Sequence, residues 1–169
     1  MNIAAQILGI GAMISLFSIY QQNERKKLLA AKLCADVFWV AHYLCLGGTA
    51  GMIPNFIGIF RELVFMQRNT KKWANIIVWP VFFIMCGWCM GIYTFHSAID
   101  ILPIAASTFI TISLWINNPK LTKLISIPVS AAFGVYDFHV GSFIGIINES
   151  LSISSIIISF IRCRIKAKG

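Results

Sequence analysis

Charge is what this sequence has least of. Only 12% of its 169 residues are Asp, Glu, Lys or Arg, and 6 are acidic. A water-soluble domain carries about a quarter charged residues, so lipid is the solvent expected for much of this surface. Alternation of apolar and polar residues is also missing: the apolar runs are continuous, which excludes the strands of a transmembrane β-barrel. No zinc-ligand spacing, phosphate-binding glycine loop or nucleophile elbow occurs. The chain thus offers no catalytic residue, metal site or cofactor motif and reads as a non-enzyme. An N-terminal basic segment and a small-residue cleavage site are lacking, so the first apolar helix is expected to be retained.

Cys34, Cys45, Cys86, Cys89 and Cys163 form an odd set, mostly inside apolar runs, as buried reduced thiols would be. Cys86-Gly87-Trp88-Cys89 has the spacing of a redox pair but not the strand–helix context of one. Thiol oxidoreductase is a minor alternative reading.

What is present is apolar sequence: 58% hydrophobic residues and a mean hydropathy of +0.79. A spanning helix needs ~20 mostly apolar residues. Seven stretches are candidates, near 3–20, 28–46, 49–66, 73–95, 98–115, 121–138 and 142–161. Basic residues gather in alternate gaps: Arg25, Lys26 and Lys27 with Lys32 just inside the next helix, then Arg68, Lys71 and Lys72, then Lys120 and Lys123, then the tail with Arg162, Arg164, Lys166 and Lys168. The positive-inside rule turns that alternation into seven spans, with the N-terminus outside and the C-terminus cytoplasmic. It also accounts for the net charge of +8 without nucleic acid. The expected partners are the lipid bilayer and a small-molecule solute, with a homo-oligomer left open.

The chain also resembles itself. Gly48 to Asn55 reads against Gly141 to Asn148, Tyr43 against Tyr136, Gln6-Ile7-Leu8-Gly9 against Asp100-Ile101-Leu102-Pro103 with a shift of one residue, and Asn23 against Asn118 with a further shift. The expected organisation is a single all-α membrane domain: residues 1–70 as a first triple-helix repeat, 71–96 as a linker helix and 97–169 as a second repeat. A three-plus-one-plus-three plan with parallel repeats is that of the SWEET transporters.

Polar residues at membrane depth are functional candidates. Asn55 and Asn148 each follow a glycine turn by about two helical turns, and Trp39 precedes the first turn by a similar distance. Two amides, which donate and accept, and an indole with an apolar face suit a small polar solute. Tyr43 and Asp36 share a helix face with Trp39. The same asparagines could equally serve as glue between helices. Arg61 is expected to snorkel to the surface or to pair with an acid, and His42, His96, His139 and Asp137 to lie at headgroup level.

Tyr20-Gln21-Gln22-Asn23-Glu24-Arg25-Lys26-Lys27, Asp36-x-x-Trp39-x-x-His42-Tyr43 and the segment from Gly51 to Arg61-Glu62 resemble the bacterial inner membrane protein family called YgjV. The likeness covers most of the chain and is strongest in its first half. It implies an inner-membrane location and a fold similar to the SWEET, SemiSWEET and PQ-loop (MtN3-like) transporters. In that group a tryptophan on the second helix and an asparagine on the third line the sugar site, roles that Trp39, Asn55 and Asn148 would take. Proline hinges would be Pro103 and Pro128. The function implied is a carrier or facilitator for a small polar solute, the alternative being a non-transporting scaffold or sensor.

Overall fold

The computed structural model describes residues 3–21, 25–116 and 118–166. All its regular structure is helical: α1 (Ile3–Gln21), α2 (Arg25–Leu46), α3 (Thr49–Gln67), α4 (Val78–Tyr93), α5 (Ile101–Ile116), α6 (Pro119–Val140) and α7 (Phe143–Lys166), with single 3₁₀ turns at Lys72–Ala74 and Ala98–Asp100. Helix α2 packs along α1 and α3, and α6 packs along α5 and α7. Helix α4 touches α3 and α5, while α1 reaches α7.

The elements stop where local chemistry stops them. Helices α2 and α6, each of 22 residues, both run into a glycine with positive φ, Gly47 at 71° and Gly141 at 70°. A side chain is disfavoured there, so glycine ends the helix. Both ends also close the same way, Gly48 N–H on the Tyr43 carbonyl at 2.9 Å and Ser142 N–H on the Asp137 carbonyl at 2.8 Å. Tyr43 and Asp137 are 94 residues apart. The same spacing relates the bounds of α2 to those of α6, and the start of α3 to that of α7. It places Asn55 opposite Glu149 rather than Asn148, one residue away from the pairing read in the sequence. Asn23 lies outside the described residues. Ahead of α5, Ser97 and Asp100 form a capping box, with Asp100 Oδ2 accepting from the Ser97 amide at 2.9 Å.

The expectation of seven membrane-spanning helices in a SWEET-like bundle is corrected by these elements. Among the described residues two helical stretches are long and apolar enough to cross a membrane, Leu29–Leu46 and Ala98–Ile116. The segments Ile3–Leu16, Val78–Tyr93 and Phe143–Ile158 are apolar but shorter. The physical reason differs by element. At 16 residues, α4 is about 24 Å long, short of a ~30 Å hydrocarbon core. Helix α3 carries Arg61 and Glu62, α6 carries Lys123, Asp137 and His139, and in α7 the run is diluted by Asn148, Glu149 and serines. A hydropathy reading merges these segments with the two longer apolar stretches because it averages over their polar faces.

Two apolar clusters hold the molecule together. One gathers Ala12, Ala35, Trp39, Tyr43, Ala50 and Tyr136, and so joins α1, α2, α3 and α6. The other gathers Leu29, Ile53, Ile57, Phe65, Phe83 and Leu114 and ties α4 and α5 to α2 and α3. Large apolar side chains also face outward, among them Ile3, Val78, Ile92, Phe109 and Phe138, an exterior suited to lipid rather than water.

Candidate functional site

One face of α2 carries the chemistry. Lys32, Asp36, Trp39 and Tyr43 recur every three or four residues and so stack along a single side of the helix. That side is turned inward: Asp36, Trp39 and Tyr43 are buried.

At one end stands an ion network. Lys32 Nζ lies 2.9 Å from Asp36 Oδ1 and 3.3 Å from Glu62 Oε1. Arg61 doubles onto the neighbouring Glu62, through Nη2 at 3.1 Å and Nε at 3.3 Å, and donates from Nη1 to Thr111 Oγ1 at 2.7 Å. Thr111 passes its own hydrogen to the Ser107 carbonyl at 2.7 Å. Arg61 and Glu62 are 1% and 0% exposed, so Arg61 pairs rather than snorkels. Two cations face two carboxylates, and the mutual attraction offsets a desolvation cost that would otherwise be several kcal/mol per ion. Gly58 makes room for the network, since a methyl there would overlap Asp36 Oδ2.

At the other end α2 meets α6. Tyr43 donates to Asp137 Oδ1 at 2.7 Å, and its ring stacks on Trp39 and meets Tyr136 edge-on. His42 Nδ1 lies 2.6 Å from the Ala5 carbonyl. A carbonyl can only accept, so Nδ1 carries the hydrogen and Nε2 is the acceptor in the neutral ring. The Ser142 hydroxyl, 2.7 Å from Nε2, therefore donates to it while accepting from the Gly145 amide at 3.1 Å. With that hydrogen committed, Asp137 Oδ2 is left buried without a hydrogen-bond partner. His42 and Asp137 are 0% and 1% exposed. They are packed against neighbouring helices rather than exposed at the surface. His96 and His139 are exposed.

Asn55 donates to the Gly51 carbonyl of its own helix at 2.8 Å, and Asn148 donates to Glu149 Oε1 at 3.0 Å. The structure brings Trp39, Tyr43 and Asp36 onto one buried face but gives each asparagine a local partner. Pro103 is buried in the first turn of α5, and Pro128 is exposed within α6. Sequence reasoning missed Lys32 as a partner, Thr111, Ser142 and the burial of Asp137. The signal for Lys32 was present in its i, i+4 spacing to Asp36. Ser142 and Asp137 had none, because they meet α2 only through the packing of α6 and α7. Among the described residues no group of three or more His, Cys, Asp and Glu side chains could hold a metal ion.

A family model, Imp-YgjV, described as a bacterial inner membrane protein, matches residues 3–167. The chain belongs to the YgjV family. The match gives an all-α protein with an outward apolar surface its setting, the bacterial inner membrane. No curated protein and no solved structure matches the chain, so the YgjV family stands without the SWEET and PQ-loop likeness expected from sequence.

Proposed function

We propose that this YgjV-family protein is a proton-coupled carrier or facilitator for a small polar solute, not an enzyme, with the inward face of α2 as its working surface. The observation that carries the reading is the continuous buried face from Lys32 and Asp36 through Trp39 to Tyr43, ending on Asp137. Ionisable side chains at membrane depth are costly, and pathways for ions and solutes are where they recur. The His42–Ser142–Asp137 arrangement supports proton coupling. A proton arriving at His42 Nε2 displaces the Ser142 hydrogen, which can then turn to Asp137 Oδ2. Trp39, Tyr43 and Asp36 are the solute-facing set, with Asn55 and Asn148 joining it when they release their local partners. Pro103 and Pro128 each remove one backbone hydrogen bond and so ease helix bending. Helices α1–α3 and α5–α7 are read as two copies of one unit.

A second reading, a non-transporting scaffold, is favoured by one observation: Trp39, Tyr43 and Tyr136 are packed at 6%, 2% and 1% exposure, a closed junction. Liposomes containing the purified protein and a pH-sensitive dye separate the two. Solute-dependent proton movement across a panel of sugars, polyols, amino acids and small acids, lost in Asp137→Asn, is the expected result. A panel without any flux, together with thermal midpoints that no solute raises, assigns the protein to the scaffold class.

A further inference from the structure

The molecule holds a groove of about 380 Å³ between α6 and α7, away from the α2 face, lined by Ser130, Gly134, Phe138, Ile146, Glu149 and Ser150 among others. That volume is in the range of small-molecule sites. The first three helices show why the groove exists. Ninety-four residues earlier, the spacing of Tyr43 and Asp137, the positions of Gly134, Ser150 and Glu149 are held by Val40, Phe56 and Asn55. An isopropyl group and a benzyl ring have been exchanged for a hydrogen and a hydroxymethyl, and an amide for a carboxylate. The one change opens space and the other puts a carboxyl group in it.

Among the described residues, Glu149 is the only ionisable one lining the groove. Its side chain accepts from Asn148 Nδ2 at 3.0 Å and from the Ser130 hydroxyl. The cation that acts on it from α2, Lys32, is already held by Asp36 and Glu62. Asp137 on α6 and Tyr43 on α2 bring no positive charge. Around the carboxylate the walls are apolar, from Val135, Phe138, Ile146 and Ile153, and Phe138 at 80% exposure marks the open side. A carboxylate in such surroundings is stabilised by a cation that brings its own apolar cover.

We propose that this groove binds a hydrophobic organic cation, a single positive centre against Glu149 with apolar substituents along α6 and α7. The groove lies apart from the α2 face and meets the carrier reading only through the Asn148–Glu149 hydrogen bond. The test uses the full chain in a neutral detergent and radiolabelled tetraphenylphosphonium as probe, measured by equilibrium dialysis. Binding should be saturable, and Glu149→Gln should weaken it about tenfold or more, as loss of a buried charge partner does. Ser150→Phe, which restores the bulk found at Phe56, should abolish it while the thermal midpoint and elution volume stay as in the wild type. Tetraphenylborate, of the same shape and opposite charge, should not compete. Absence of saturable binding, undiminished binding in both variants, or equal competition by the anion overturns the proposal. So does disulfide crosslinking of Ser150→Cys chains in native membranes, which would make the groove an interface between two copies.

Discussion

Helices α2 and α6 share their bounds and their closing turns, yet the sets of helices around them, α1–α3 and α5–α7, have filled their interiors differently. In the first set, Lys32, Asp36, Arg61 and Glu62 make a compact, charge-balanced network. The positions 94 residues later, the separation of Tyr43 and Asp137, are Ser126, Ser130, Ser155 and Ile156. One backbone plan therefore tolerates either four mutually neutralising ions or three serines and an isoleucine. What it does not tolerate is half of the first arrangement, because each ion is affordable only while its partner stands beside it.

The sharpest way to break the comparison is to unbalance the network. Arg61→Leu should lower stability by about 3–5 kcal/mol, since it leaves Lys32 alone to balance both Asp36 and Glu62. The double change Arg61→Leu, Glu62→Leu should recover most of that loss, because one charge of each sign is gone. Chemical unfolding in detergent followed by tryptophan fluorescence reads both, and an additive double variant would refute charge balance as the governing term. Next in size is Gly58→Ala, which drives a methyl into Asp36 and should cost about 2 kcal/mol. Ser152→Ala at the matching place in α7 should stay within about 0.5 kcal/mol. A thermal scan of the two variants side by side would expose any reversal of that order.

Tyr43→Phe takes the hydroxyl from Asp137, whose second oxygen is already unpartnered. It should cost about 1–3 kcal/mol, and Tyr43→Phe with Asp137→Asn should cost less than the sum of the singles. A double-mutant cycle decides this. The smallest effects belong to the turns. Gly47→Ala and Gly141→Ala should each cost about 1 kcal/mol for forcing a side chain into the left-handed region. Because the two φ values agree, the two losses should agree as well, and unequal melting points would show that the turns are not alike in their surroundings.

Much of the helical plan was legible in the sequence. The apolar stretches mark the helices, but the glycine read against Gly141 in the sequence is Gly48, whereas the positive φ that ends α2 belongs to Gly47. The stretch near 73–95 is an exception: a single 3₁₀ turn at Lys72–Ala74 precedes an α4 that starts only at Val78. The number of spans was not legible, because hydropathy averaged over a window cannot see Arg61 and Glu62 as an inward pair or count residues lost to the loop before α4. For the candidate site, Asp36, Trp39 and Tyr43 were readable as one face by helical spacing. Asp137 and Ser142 were not, since no local pattern says which distant helix will face α2. The repeat register was blurred for a similar reason: Asn55 and Asn148 attract the eye as identical residues, but the turn hydrogen bonds fix the pairing one residue away.

The Tyr43–Asp137 hydrogen bond joins two positions that correspond to each other in the two sets of helices. Had two identical chains met at this point, tyrosine would face tyrosine or aspartate would face aspartate, and neither pair divides cleanly into giver and receiver. A single chain carrying both sets escapes that restriction. It can put a hydroxyl on one side of its own internal axis and a carboxylate on the other, so the junction has a built-in direction that no assembly of identical halves could possess.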